Sequence, residues 1–277
     1  MGRYADFILD FLAQFAGGRG GAENELARFG LAGGFWAILL IVTLGRLREE
    51  ERPHERWLAY GFALGLLRET FMFIVEGLDI LGVVSKDSMH PFFPPLEHAL
   101  SMAAVIVVAG AFLRYLLEDE VLARRYIKIG LAVTAFDYLA TFWWWYLFIT
   151  ANPSFKFGQT WADWLFRVTA SVLFAYPLLL FYKRRIPGWV RTTVLVAFSF
   201  FFLCEFLMLF NLASGEVYKE IYNPIRHSLH ILAIPLLGNV YYLEAKERSK
   251  RARKELRESR DFIKSVFDSV HDAISVI

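Results

Sequence analysis

Only one cysteine, Cys204, stands among the 277 residues, so no internal disulfide framework holds this chain together. No charge of one sign predominates either. Thirty Lys and Arg face 28 Asp and Glu, a net charge of +2, and that balance points to no nucleic-acid partner. Walker, Rossmann and nucleophile-elbow patterns are missing. So is an internal repeat of the kind that marks a two-half transporter. The first 28 residues have no basic run followed by a continuous apolar core and a small-residue cleavage site, which argues against a cleaved signal peptide. Three scattered histidines, His98, His227 and His230, are too few for a di-metal membrane oxidase. No catalytic residue is assigned, and this stretch of chain is not expected to be an enzyme.

Apolar and aromatic residues are what the chain has in excess. They make up 56% and 17% of it, with a mean hydropathy of +0.40, far from the balance of a soluble domain. A hydrocarbon layer about 30 Å thick takes about 20 apolar residues in a helix. Such runs lie near 28–47, 57–80, 96–117, 126–150, 162–182, 190–212 and 227–243. The expected fold is therefore all-α, a seven-transmembrane helical bundle in contact with membrane lipid. The last run is the shortest, and charges interrupt the second. No lysine falls in 227–243, which excludes a retinal Schiff base of the microbial rhodopsin kind.

Orientation follows from the basic residues, because short cytoplasmic loops retain Lys and Arg. One set of loops carries Arg46, Arg48, Arg52 and Arg56, then Arg114, Arg124, Arg125 and Lys128, then Lys183, Arg184, Arg185 and Arg191. The other set has only Lys86, Lys156, Lys219 and Arg226. The N-terminus is thus expected outside and the C-terminus in the cytoplasm, as an odd number of spans requires. Residues 1–27 read as a periplasmic amphipathic helix, with Tyr4, Phe7, Ile8, Phe11, Leu12 and Phe15 on one face and Gly17 to Gly21 as a hinge. The segment 85–98 holds Pro91, Pro94 and Pro95 and reads as an extended loop before the third span, with Pro95 early in the helix.

Ionisable residues inside spans are costly unless paired or facing a cavity, so they are the first candidates for function. Glu76, His98, Arg167, Glu205 and His230 fall in the outer half, Glu69 and Asp137 near the middle, and His227 at the outer rim. Glu69 and Glu76 share a face of the second helix, as His227 and His230 do of the seventh. His98, His227 and His230 with Glu76 and Glu205 supply N and O donors for a transition metal ion such as Zn or Fe. Cys204 and Met208, four apart, add two soft donors suited to Cu, although such a pair more often only packs. Haem held between His98 and a seventh-span histidine is an alternative. A third reading is a pocket for a small organic ligand, anchored by Glu69, Arg167 and Asp137 and walled by aromatics such as Trp144. Arg167 needs an anion there, either Glu76, Asp137, Glu205 or a ligand carboxylate. Simple polar packing and an interfacial Trp belt are the plainer explanations of the same residues.

The last apolar run passes without a turn signal into a charged tail. Ala245, Ser249, Ala252, Leu256, Ser259, Ile263, Val266 and Val270 recur at alternating steps of four and three, the seam of a parallel two-helix coil. A homodimer through this C-terminal helix is expected. Residues 244–262 are the coiled-coil linker to the sensor domain at 28–243. The closing segment RDFIKSVFDSVHDAISVI resembles the start of a PAS sensor domain, with a short amphipathic helix (Phe262, Ile263, Val266, Phe267) before a first strand at 273–277. The resemblance covers about eighteen residues. It implies a bacterial receptor of the sensor histidine kinase type in the inner membrane, with a diguanylate cyclase as the close second. It further implies a cytoplasmic output domain in the same chain, a response regulator downstream, and a PAS domain of which residues 263–277 are only the beginning.

Overall fold

The computed structural model describes residues 22–49, 53–84, 89, 91–184, 188–215 and 219–275. Within them the chain forms seven long α-helices: α1 (Ala22–Glu49), α2 (Pro53–Ile80), α3 (Phe93–Leu117), α4 (Glu120–Ala151), α5 (Trp161–Lys183), α6 (Gly188–Ala213) and α7 (Lys219–Ser275), with one 3-10 turn at Phe157–Gln159. No strand occurs among the described residues. The expected helix of residues 1–21 lies outside them, and residues 22–27, read as the end of that segment, instead open α1.

Among the described residues five helices are long and apolar enough to cross a membrane: Asn24–Arg48, His54–Ile80, Phe93–Leu117, Trp161–Lys183 and Val190–Ala213. That is the signature of a multi-pass membrane protein. The expectation of seven spans thus meets five by this measure. Asp137 and the run Trp143 to Tyr146 depress the hydropathy of α4, and Arg226, His227 and His230 do the same at the start of α7.

Sequence neighbours pack as neighbours: α1 on α2, α2 on α3, α3 on α4, α5 on α6 and α6 on α7. α5 also lies against α3, and α7 returns to α1, so α3 is enclosed. Nine consecutive residues from Val105 to Leu113 are buried, which is the all-round apolar pattern of a central helix. Small residues allow these close approaches where lipid provides no hydrophobic drive between helices. A Cβ on Gly65 would stand 2.6 Å from the Trp36 ring, and one on Gly130 2.7 Å from Ile106.

The turn between α3 and α4 is two residues long. Glu118 takes the left-handed conformation at φ 55° that ends a helix, and the Asp119 carboxylate accepts from the Leu122 N–H at 2.9 Å to start the next. Helix α3 starts at Phe93, so Phe93 and Pro94 are already helical where an extended loop was expected, and Pro95 lies early in the helix as its position suggested. Pro94 and Pro95 occupy the first turn, where no N–H is needed. Helix α7 starts at Lys219, before the run expected from residue 227, and contains Pro224 and Pro235. At its other end α7 is helical through Ser275, so residues 273–275 are not extended as a first strand would be. Among the described residues there is no sheet for them to pair with, and the helix satisfies their backbone groups instead.

Candidate functional site

The up-and-down course brings alternate helix ends together. The first turns of α1, α3, α5 and α7 and the later halves of α2 and α6 surround a cavity of about 330 Å³. Only α4 contributes nothing to its wall. The volume falls in the range of small-molecule sites, but the wall is unusually charged for a membrane domain. It carries four arginines, Arg28, Arg68, Arg167 and Arg226, with Glu25, Glu69, Glu97 and Glu205 and the three histidines His98, His227 and His230.

Two polar networks hold these side chains. In the first, Arg68 on α2 donates to its neighbour Glu69 at 2.6 Å and to Glu97 on α3. Glu69 Oε1 lies 3.4 Å from His230 Nε2 on α7. In the second, the Arg167 guanidinium on α5 pairs with Asp163 one turn earlier, at 3.2 Å, and with Glu205 on α6, at 2.5 Å. Asp163 also meets His98 Nε2 at 3.1 Å, and the His98 ring stacks against both Phe157 and Phe166. Glu97 and His98 are adjacent on α3, so the two networks join there. Buried charges are tolerated only when paired in this way.

The remaining two arginines are held differently. Arg28 Nη1 on α1 lies 2.7 Å from Nδ1 and 2.6 Å from Nε2 of His227, and an unprotonated imidazole nitrogen is the acceptor that a guanidinium requires there. Its charge also sits 4.4 Å from the centre of the buried Phe29 ring. Arg226 follows on α7, where its backbone carbonyl accepts from the Cys204 thiol at 3.2 Å. Among the described residues no carboxylate lies within ion-pair distance of Arg28 or Arg226, but Glu25 and Glu205 respectively stand near enough to act on their charges. Beyond the main cavity, a pocket of about 20 Å³ shares Arg68, His98 and Arg167 and reaches Phe174 along α5. It has room for about one water.

Of the residues expected to bind, Glu69, His98, Arg167, Glu205, His227 and His230 all line the main cavity. Glu76, fully buried and partnered elsewhere, does not. Asp137 is buried on α4, where Thr169 of α5 hydrogen-bonds it. Trp144 stacks on Phe148 and meets Trp161, away from the cavity. Among the described residues no group of three or more His, Cys, Asp and Glu is placed to hold a metal ion. The physical reason is that each of the expected donors is paired with another side chain, an arginine or a carboxylate. His227 is taken by Arg28, Glu205 by Arg167, His98 by Asp163 and His230 by Glu69.

Arg28, Arg68, Glu97, Asp163 and Arg226 complete the site but escape sequence reasoning. Three of them lie in the first turns of helices, where charges read as flanking residues. Arg226 reads as a loop charge and Arg68 as an interruption of the second span. The spacing Asp163, Arg167 (i, i+4) was the one local signal available. Comparison of the chain with family models, with curated proteins and with solved structures finds no match in any of the three.

Proposed function

We propose that this chain is the membrane sensor region of a signalling receptor, binding a small organic ligand in the charged cavity and passing the event along α7. The observation that carries the reading is the continuity of α7. Asn223, Arg226, His227 and His230 line the cavity, and the same helix runs on to Ser275. A change in how its first turns are seated is therefore a change in the position of its far end.

In this reading α4 and α7 also cross the membrane, giving seven spans in a bacterial inner membrane. The N-terminus and the cavity face outward, and the basic loops and the end of α7 face the cytoplasm. Arg46, Arg114, Arg124 and Arg191 cluster at the ends of helices remote from the cavity, which agrees with retention of basic residues inside. The ligand acts by population shift, stabilising one seating of α7 over another. The coiled coil carries this to a PAS-linked histidine kinase, or to a diguanylate cyclase. The ion pairs of Arg68 and Arg167 with Glu69, Glu97, Asp163 and Glu205 engage the carboxylates that a metal ion would need, which favours an organic ligand over a metal ion.

One preparation separates the possibilities. Elemental analysis and an optical spectrum of the purified domain detect metal and haem, and a thermal-shift screen of small compounds detects an organic ligand. The expected result is no stoichiometric metal, no haem absorption and stabilisation by a small polar compound. Replacing His98, His227 and His230 together with alanine is expected to abolish that stabilisation. If ligand response and downstream output are both unchanged by the triple replacement, the receptor reading fails.

A further inference from the structure

Resting on the receptor reading, in which α7 leaves the membrane toward the cytoplasm, we propose that residues 246–254 of α7 dock on anionic phospholipid headgroups of the cytoplasmic leaflet. Charge is distributed unevenly along this one helix. Within 246–254, Lys246, Arg248, Lys250, Arg251, Arg253 and Lys254 are basic and only Glu247 is acidic. Over 255–268 the balance reverses, with Arg257, Arg260 and Lys264 against Glu255, Glu258, Asp261 and Asp268. Both stretches belong to the same unbroken helix, and the mixed pattern of the second would keep the first solvated equally well. The acidic groups of the second stretch are met along the helix, Glu258 by Lys254 and Asp261 by Arg260, each at 3.6 Å. Retention of basic residues inside accounts for the side of the membrane on which the run lies. Its density has a further consequence, because clusters of about four to eight Lys and Arg directly after a span are attracted to anionic headgroups.

Geometry brings these charges to the surface. Tyr241 and Tyr242 precede the run, and Tyr242 is exposed, as suits an aromatic belt at the membrane–water boundary. At 1.5 Å per residue, Lys246 lies about 6 Å and Lys254 about 18 Å along the helix from Tyr242. The headgroup layer is about 6 Å deep, and the field beyond it persists over a Debye length of about 8 Å. A helical Cα–Cβ bond tilts toward the N-terminus, which for this part of α7 is the membrane side, so the long basic side chains reach back toward the headgroups. Lys246, Lys250, Arg253 and Lys254 are all exposed. Because α7 is unbroken, a hold on the run is a hold on the helix whose first turns, with Arg226, His227 and His230, wall the cavity. The surface charge of the leaflet is thereby a second input to the same element.

The test uses the full chain carrying Cys204→Ala and Ser249→Cys, with a fluorophore on the new cysteine, in nanodiscs of phosphatidylcholine alone or with about one third phosphatidylglycerol. Quenching by acrylamide, which is uncharged, reads the label's exposure to water. It is expected to fall about two-fold when phosphatidylglycerol is present and to recover when salt rises from about 0.1 M to about 0.5 M. A label at Ser259→Cys is expected to respond to neither change. Ser259 lies on the same heptad seam as Ser249, so protection caused by pairing of two helices would reach it as well. Replacing Lys250, Arg251, Arg253 and Lys254 with glutamine is expected to remove most of the protection at Ser249→Cys. Arg251→Lys with Arg253→Lys, which keeps the charge, is expected to preserve it, and the melting temperature of each variant guards against a folding defect. Equal quenching in the two lipids, equal protection at the two labels, or protection that survives the glutamine replacement overturns the proposal. Protection by a soluble polyanion such as RNA in phosphatidylcholine, without any by phosphatidylglycerol, also overturns it and assigns the run to a soluble partner. Docking observed while the triple histidine replacement leaves ligand response and output unchanged sinks the receptor reading and keeps the lipid contact; the opposite pair of results keeps the receptor reading alone.

Discussion

Arg167 shows how a single residue ties the site together. It faces Asp163 and Glu205 at once, so Arg167→Gln leaves two carboxylates buried without their cation. Removal of one partner from a buried pair costs about 3–5 kcal/mol; the expected result is a loss of that order in unfolding measured by denaturant in mixed micelles. Packing gives a cleaner contrast. Gly65→Ala forces a Cβ to within 2.6 Å of the Trp36 ring, a rigid neighbour, whereas Gly34→Ala meets nothing within 4 Å. The first is expected to destabilise by about 1–3 kcal/mol, and the second to be neutral or stabilising by up to about 1 kcal/mol, read from the same unfolding curves. At this scale the sequence was a partial guide. A histidine or glutamate deep in an apolar run announces itself, as His98 and Glu205 did. Arg28 and Arg226 did not, because an arginine at the end of a span has a sufficient explanation in topology. Which of the deep residues meet one another depends on the rotation of each helix about its axis, and Glu76 and Asp137 show that depth alone does not decide it.

Among the elements, α7 runs from the span into the charged tail without a break, as the missing turn signal led us to expect, and departs from expectation only at its end, where residues 273–275 are helical and not a first strand. Its 57 residues form one helix, about 85 Å long at 1.5 Å per residue. That is nearly three times the hydrocarbon thickness of about 30 Å. From residue 253 to 265 every side chain is exposed, including Leu256, Phe262 and Ile263. Leu256 and Ile263, at heptad positions, are costly to leave in water, and a second copy of the helix would cover them. In a background where Cys204 is replaced by alanine, Leu256→Cys is expected to form a disulfide-linked dimer in membranes under mild oxidation, and Lys254→Cys, off the seam, is not. Equal crosslinking at the two positions would exclude the parallel coil. The other helices were more legible, their ends falling within a few residues of the expected runs, because hydrophobic length is written directly into composition. Of the two prolines in the first turn of α3, Pro95 was legible as an early helical residue, whereas Pro94 looked like loop.

The molecule as a whole is an up-and-down bundle in which cavity and linker occupy opposite ends of α7. Its topology is testable by labelling from one side of the membrane. With Cys204 replaced, a cysteine at Lys156 is expected to react with an impermeant maleimide in intact cells whose outer membrane has been opened. Cysteines at Arg124 or Arg184 are expected to react only after the inner membrane is permeabilised, and the reverse pattern would invert the orientation. The general class was legible throughout, since a chain this apolar has few ways to satisfy its backbone in lipid other than helices. What composition did not contain was the convergence of six helices on one polar cavity, which arises only from their order around α3. That central position bears on how the protein is made. Helices enter the membrane in the order of synthesis, so α3 arrives while α5, α6 and α7 do not yet exist. Its Glu97 finds Arg68 of α2 already in place, but His98 waits for Asp163. The Glu97–Arg68 pair is therefore available as soon as α3 follows α2, whereas the pairs made by Asp163, Arg167 and Glu205 wait for α5 and α6 and that of Glu69 with His230 waits for α7.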